Sequence, residues 1–165
     1  MSLVLHGTNG ITYPDARTQL EASKAVQIVT DSYLTESTDS TGFPNDNTKP
    51  QNDEGFEIMT VAITPKNASS TLVVEYELDV AGTYGITAAA LFEDSDADAI
   101  DVKNGSSGQV TGRYIVSAAN TTERTYKVRV GDITSQACRV NYGGSGTARF
   151  NNACGCYMSV TEYAP

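Results

Sequence analysis

The sequence is poor in the residues that most often carry catalysis. It has no tryptophan, one histidine (His6) and three cysteines among its 165 residues. A Ser-His-Asp or Cys-His site would have to use His6. A general base needs a rigid supporting shell, which a short segment near the start of the sequence does not offer. We therefore expect no catalytic residues, no cofactor and no enzymatic activity.

The three cysteines do not predict a disulfide framework, because their number is odd. Cys154 and Cys156 have the spacing C-x-C, whereas redox and zinc-ribbon sites use C-x-x-C. In a strand these two residues point to the same face, which favours small buried side chains. A bridge from Cys138 to Cys154 or to Cys156 stays open if the flanking strands are neighbours.

Positive charge and long apolar runs are also scarce. Eleven basic residues against 20 acidic ones give a net charge of −9, which disfavours nucleic acid and anionic membrane surfaces as partners. No apolar run approaches the ~20 residues of a membrane span, and the first seven residues do not resemble a signal peptide. We expect a protein made in the cytoplasm that leaves the cell, if at all, by assembly or lysis.

The most frequent positive feature is an alternation of apolar and polar residues. Leu72, Val74, Tyr76 and Leu78 alternate with residues that are mostly acidic or exposed in character, which is typical of a strand with one buried face. The same pattern predicts strands at 25–34, 56–63, 71–80, 85–92, 110–118, 125–130, 137–142, 147–151 and 155–163.

Strands at this spacing, separated by Gly-, Asn- and Asp-rich turns, predict an all-β fold, an antiparallel β-sandwich or jelly roll. We assign residues 1–24 to a short β arm around the Asn9-Gly10 turn and residues 25–165 to the sandwich. No amphipathic helix is convincing, since the best candidate, 18–26, is short. Residues 35–55 contain few apolar side chains and predict a long surface loop.

The predicted strand 85–92 departs from the alternation. Its small residues Ala88, Ala89 and Ala90 fall on both faces, which indicates close packing on each side. Either another subunit or a neighbouring sheet of the same chain would account for that packing.

Acidic residues recur at alternate positions. Asp94, Asp96 and Asp98 imitate the first half of a calcium loop, but Ala99 and Gly105 stand where an EF-hand needs glycine and glutamate. A solvated hairpin tip explains them better. Glu75, Glu77 and Asp79 share one strand face at a spacing that permits a glycosidase pair, although the wet face of a strand is the simpler interpretation.

The run 141–147 contains three glycines but lacks the lysine and the following helix of a phosphate loop. It predicts a hairpin turn. Tyr142 beside flexible glycines would also suit an adaptable contact loop.

Four segments resemble tail-fibre proteins of marine bacteriophages. Ile63-Thr64-Pro65 followed by Ser69-Ser70-Thr71-Leu72 is similar to the turn and strand of that family. The other three segments appear in the family's order: Gly10 to Gln19, Ala90 to Ile100, and Thr125 to Arg129 together with Tyr157 to Glu162. Ala16-Arg17 replaces the Gly-Thr of the family's arm, and no long shaft is present.

The resemblance implies a C1q/TNF-like jelly roll that forms a homotrimer. Its implied function is that of a non-enzymatic virion protein, a short tail fibre or fibre head that binds a host surface glycan or protein. The alternative is a capsid decoration or head-fibre protein that stabilises the particle. A lone histidine per chain could also meet its copies on the threefold axis and bind a metal or an anion there, which makes His6 one metal candidate. Asp94, Asp96 and Asp98 are separate candidates, for calcium.

The same implication supplies candidate contacts. The arm would attach to other virion proteins, either of the tail and baseplate or of the capsid, through Leu5, Ile11, Tyr13 and Pro14. The polar loops 35–55, 93–98, 104–108 and 142–147 would meet the host, and the receptor-binding candidates within or beside them are Asp46, Asn47, Asn104, Tyr142 and Ser145.

Overall fold

Strands dominate the computed structural model, which describes residues 4–6, 10–12, 18–19, 24–82, 86–106, 108–134, 136–143 and 150–165. The strands are β1 Val4–His6, β2 Gly10–Thr12, β3 Thr18–Gln19, β4 Ala25–Tyr33, β5 Ser37–Asp39, β6 Phe56–Ile63, β7 Thr71–Gly82, β8 Ile86–Glu93, β9 Asp101–Ser106, β10 Gly108–Ser117, β11 Arg124–Asp132, β12 Cys138–Val140 and β13 Cys156–Tyr163. A 3₁₀ turn lies at Phe150–Asn152. No helix in the described ranges is long and apolar enough to cross a membrane.

Eight of these strands form two antiparallel sheets. The first sheet has the order β4-β13-β7-β10 and the second has the order β6-β11-β8-β9. Strands β5 and β12 extend the first sheet beside the end of β7. This order is that of a jelly roll with two interlocked Greek keys. The predicted all-β antiparallel sandwich is therefore confirmed.

The arm strands β1, β2 and β3 form a separate three-stranded antiparallel sheet. The arm boundary at residue 24 stays a prediction. Thr18, Gln19, Ala25 and Val26 are in strands, which agrees with the judgement that a helix at 18–26 is not convincing.

The core lies between the two sheets and follows the alternation of the sequence. Leu72, Val74, Leu78 and Val80 of β7 are fully buried, and Tyr76 between them is 3% exposed. Side chains from the second sheet complete the same cluster, among them Val61, Leu91 and Val128. Fully burying one such aliphatic side chain stabilises the fold by about 1.5–3 kcal/mol, so this cluster is a major source of stability.

The Tyr76 ring lies against the backbone of the neighbouring strand at Gly112. A Cβ atom at Gly112 would lie 2.0 Å from Tyr76 Cζ, well inside van der Waals contact. We expect Gly112→Ala to lower the free energy of unfolding by about 1–3 kcal/mol, the usual cost of overpacking. Urea denaturation measures it, and Thr111→Ala is the control for a change to alanine in the same strand, since Thr111 is exposed. Equal effects of the two substitutions would contradict the packing argument.

The segment 35–55 is more ordered than the surface loop that the sequence predicts. It contains β5, and its Phe43 is 2% exposed and packs on Ala88, Ala90, Phe92 and Ala99. Phe43 thus covers the outward face of β8. The small residues of β8 are therefore buried on both faces within one chain, and they need no second subunit.

The structure differs from the sequence prediction in two further segments. β9 was not predicted, because its Asn104, Gly105 and Ser106 are typical turn residues; it pairs with β8 nonetheless. The predicted strand 147–151 is wrong at Phe150 and Asn151, which lie in the 3₁₀ turn with φ of 59° and 51°. Its first three residues lie outside the described ranges.

Candidate functional site

Two loops join to form one surface beside the second sheet. We call residues 49–54 and 93–100 the composite loop surface. Asn52 N donates to Ala97 O at 2.9 Å, and Asn52 Nδ2 donates to Asp96 O at 3.0 Å. Ala99 N donates to Pro50 O at 2.9 Å. These bonds fix two segments that are far apart in sequence and that the sequence predicts as separate loops.

A pocket of about 270 Å³ opens between this surface and the outward face of the second sheet. Its lining residues are Asn52, Glu57, Phe92, Asp94, Ser95, Lys127 and Arg129. Lys127 and Arg129 alternate on β11 with the buried Tyr126, Val128 and Val130, which directs them away from the core.

Arg129 holds the end of the first loop onto this sheet. Its Nε donates to Glu54 O at 2.6 Å and its second terminal nitrogen donates to Gly55 O at 2.8 Å. The remaining terminal nitrogen pairs with Glu57 at 3.2 Å. Every nitrogen of the guanidinium is thereby engaged, so Arg129 positions the wall of the pocket.

Asp94 begins the second loop in the left-handed conformation, with φ of 50°, a region in which Asp and Asn are favoured among non-glycine residues. Its Oδ1 accepts a bond from Thr125 N at 2.7 Å, and its own N donates to Thr125 O at 2.7 Å. Burial raises the pKa of the neighbouring Glu93, opposed by Arg124 and reinforced by the charges of Asp94 and Asp96.

The three acidic residues of this loop are tied to protein donors and turns. Asp98 Oδ1 accepts a bond from Gln51 Nε2 at 2.9 Å, and Asp96 N donates to Glu93 O at 3.0 Å. Across the described ranges, no group of three or more His, Cys, Asp or Glu side chains is placed to hold a metal ion. His6 has a described backbone in β1 only.

The arm candidates cannot be placed as side chains. Leu5 and Ile11 pair with each other in the register of β1 and β2, and only their backbones are described. Tyr13 and Pro14 lie outside the described residues.

The receptor candidates are dispersed. Asp46 and Asn47 are exposed in a bend, where Thr48 donates two hydrogen bonds to Asp46 Oδ1 at 2.6 and 2.8 Å and lowers the pKa of Asp46. Asn104 is exposed but lies in β9, so its placement in a loop is wrong. Tyr142 is half-buried in the turn after β12. Ser145 lies outside the described residues.

Sequence reasoning did not identify Glu57, Lys127 or Arg129 as lining a pocket. The alternation along β11 places both cations on one outward face, and that signal is readable in the sequence. Their approach to the 93–98 loop depends on the pairing of β11 with β8, which is a long-range feature.

The outward face of the first sheet is the other large open surface. Ile28, Thr161, Val73 and Ile115 stand in one row across β4, β13, β7 and β10. Ile28 and Ile115, at the ends of this row, are 61% and 58% exposed. A groove of about 860 Å³ runs beside it.

The walls of the groove carry charged and aromatic side chains. Glu75 pairs with Arg113 at 3.5 Å, and Gln109 Nε2 donates to Glu77 at 2.5 Å. Tyr157 is 53% exposed. Glu75 and Glu77 are both exposed, in agreement with the wet-face interpretation of these carboxylates.

The cysteines are free thiols, and the two possible bridges are absent from the structure. Cys138 and Cys156 are buried, which confirms the prediction of small core side chains for these two. Burial raises the pKa of each to about 12, so neither is a reactive thiolate at neutral pH. Cys154 is half-buried.

Comparison with known proteins adds a family match. The family model of the Pgp3 C-terminal domain matches residues 30–162, which covers the jelly roll from β4 to β13. No curated protein sequence matches the chain.

Solved structures give distant likenesses. The C-terminal domain of EclA, described as a sugar-binding protein, is 14% identical, with 78% of this chain and 84% of that chain covered and a TM-score of 0.38. The VP2 subviral particle of infectious bursal disease virus is 10% identical, with 92% of this chain covered and a TM-score of 0.39. The present chain spans 41% of that viral chain.

Proposed function

The chain belongs to the Pgp3 C-terminal domain family, and from that premise we propose that it is a non-enzymatic binding and structural protein of a phage virion. Specifically, it forms the trimeric head of a short tail fibre, and the head attaches the particle to a host surface. The arm anchors the head to other virion proteins. Fold and family membership support a structural or binding role, and the tail-fibre motifs of the sequence support the virion assignment.

The observation that carries this proposal is the pair of exposed isoleucines, Ile28 and Ile115, on the outward face of the first sheet. Large apolar side chains exposed on a face with a polar surround are typical of a protein–protein contact. Val73 and Thr161 between them are only 4% and 7% exposed, so the two isoleucines provide most of the apolar surface that a partner would cover. The adjoining groove has both acidic and basic walls, which suits a second copy of the same mixed surface.

A trimer that buries the first sheet leaves the second sheet outside. The composite loop surface and its pocket then face away from the symmetry axis. Polar loops on a rigid scaffold are a common place for recognition. This arrangement supports adhesion through the loops beside the second sheet and trimer assembly through the first sheet.

The mass of the protein in solution tests the assembly. We expect light scattering on the wild-type protein to give three times the chain mass of 17.5 kDa. Ile115→Glu should give the mass of one chain, because three carboxylates would be buried without partners in the trimer. Ile86→Glu is the matched control, since Ile86 is 43% exposed on the second sheet and should leave the trimer intact. A wild-type monomer, or a trimeric Ile115→Glu, would refute the assignment of this face.

The position on the particle tests the virion assignment. We expect fluorescently labelled protein to bind host cells and to block adsorption of the phage, with few copies in each purified particle. Hundreds of copies, lost on mild heating together with capsid stability, would instead identify a decoration protein.

A further inference from the structure

The pocket beside the composite loop surface contains polar atoms that the protein leaves unused. Lys127 lines it, and no described residue gives its ammonium group a hydrogen bond or ion pair. Asp94 uses one carboxylate oxygen for Thr125 N, and the second oxygen has no described partner. The Ser95 hydroxyl and the Asn52 Oδ1 atom likewise have none among the described residues. A donor, two acceptors and a hydroxyl therefore converge on one small space.

The charges of the pocket balance. Lys127 and Arg129 are opposed by Glu57 and Asp94. Arg129 uses three of its five N–H donors on Glu54, Gly55 and Glu57, and its charge is paired with Glu57. A phosphate or carboxylate would meet two carboxylates beside the two cations, with no net positive charge to attract it. The site therefore favours a neutral ligand with hydroxyl groups, which can donate to Asp94 and accept from Lys127 at once.

The size of the pocket and the residue at its base further limit the class of ligand that fits. At about 270 Å³ the pocket lies just below the ~300–1,000 Å³ of sites for drug-sized ligands, which suits one ring. Phe92 lies at the base of this space with its side chain only 1% exposed, so the surface open to a ligand is almost entirely polar. A pyranose carries neighbouring hydroxyls along its rim, which suit such polar walls.

We propose that this pocket binds one neutral terminal sugar residue, with Lys127 and Asp94 holding a pair of adjacent hydroxyls. The inference rests on the proposed function, since it names the chemistry that the fibre head recognises. Asn52 and Ser95 contact the remaining hydroxyls. Arg129 is a positioning residue that keeps loop 49–54 in place.

Titration of the isotope-labelled, full-length protein with single sugars tests the site. The probes are glucose, galactose, mannose, fucose, N-acetylglucosamine and N-acetylgalactosamine, followed by amide chemical shifts. We expect at least one sugar to shift the amides of Asp94, Ser95 and Lys127, with a Kd of about 1–10 mM, as befits few contacts. Lys127→Gln and Asp94→Asn should each raise that Kd about tenfold, since each weakens a charge-assisted bond.

The controls separate binding from folding. Asn tolerates the left-handed backbone at position 94 and keeps the acceptor for Thr125 N, so Asp94→Asn should retain the wild-type spectrum elsewhere. Lys66→Gln removes an exposed lysine remote from the pocket lining and should leave the Kd unchanged. The proposal fails if none of the six sugars moves these amides. It fails equally if sialic acid, phosphate or glycine betaine moves them instead, because those outcomes identify an anion or zwitterion site.

Cell binding separates this failure from failure of the proposed function. Host cells that bind wild-type protein and Lys127→Gln equally would refute the sugar site and leave adhesion standing. Sugar binding by a wild-type protein that binds no cells would refute adhesion and leave the site standing.

Discussion

Replacing Phe43 by alanine is expected to lower the free energy of unfolding by about 3–5 kcal/mol, the cost of emptying a buried aromatic site. Phe43 is 2% exposed and packs against Ala88 and Ala90, whose small side chains cannot move in to fill the space. In a chain of this length the loss corresponds to roughly 10 °C in Tm. Thermal unfolding monitored by circular dichroism measures it.

The same substitution should also free the loop that Phe43 holds. Phe43 N donates to Asp132 O at 3.2 Å, and Gly55 N donates to Gly42 O at 3.3 Å, so the ring and two backbone bonds hold the loop together. We expect hydrogen exchange to rise at residues 42–55 while the core strand β7 keeps its relative protection. Phe150→Ala is the matched control, because Phe150 is 67% exposed and its loss should cost little. A loop that stays protected without Phe43 would show that backbone bonds alone order it.

The buried position of Phe43 marks the limit of what alternation can predict. The strands of β7, β11 and β13 follow from period-two patterns, because each has one face in a common core. Phe43 has no such pattern around it, since it is a single apolar residue in a polar loop. The sequence shows only that β8 departs from the alternation, which either a second subunit or a second layer of the same chain would explain. It does not identify Phe43 as the residue that covers β8.

The candidate pocket shows the same division. The local alternation along β11 predicts that Lys127 and Arg129 share a face. The composition of loops 35–55 and 93–98 predicts that these loops are polar. Their convergence depends on the register of β11 against β8 and on hydrogen bonds such as Asn52 to Ala97. No spacing within the sequence encodes that approach, so the sequence predicted the loops but not the site.

Glu162→Gln is expected to lower the free energy of unfolding by about 3 kcal/mol, because buried hydrogen bonds to a charged group are worth about 1.5–3 kcal/mol each. Glu162 is fully buried in β13. Lys66 N donates to both of its oxygens at 2.9 and 3.0 Å, and Gln27 Nε2 donates at 2.6 Å. A neutral amide would turn an NH₂ group toward one of these donors. Urea denaturation measures the loss, and the exposed Glu123→Gln is the control.

These contacts join two of the segments that resemble tail-fibre proteins. Ile63-Thr64-Pro65 leads into the turn at Lys66 and Asn67, and Asn67 N donates to Glu162 at 3.2 Å. Glu162 closes the last resembling segment, 157–162. The two segments therefore meet at one carboxylate, which ties the final strand to the turn that precedes β7. Folding, rather than ligand binding, accounts for the contact between these two segments.

Acid should remove the stabilisation that the Glu162 carboxylate gives to the folded protein. Burial by itself raises the pKa of this carboxyl, but the Ser70 hydroxyl beside it and the donors of Lys66, Gln27 and Asn67 outweigh burial and lower the pKa below its ordinary value of 4.5. Above pH 4.5 the group is charged in both states and its stabilisation is complete. As the pH falls, the unfolded chain takes up the proton first, and the stabilisation is lost as the pH passes the folded pKa.

The difference in stability between wild type and Glu162→Gln should therefore be largest at pH 7 and shrink toward pH 3, since the variant lacks this titration. Unfolding in urea at several pH values, with Glu123→Gln carried in parallel, isolates the effect of Glu162 from the other carboxylates. A difference that stays constant from pH 7 to pH 3 would mean that shape, and not the charge of Glu162, holds the turn.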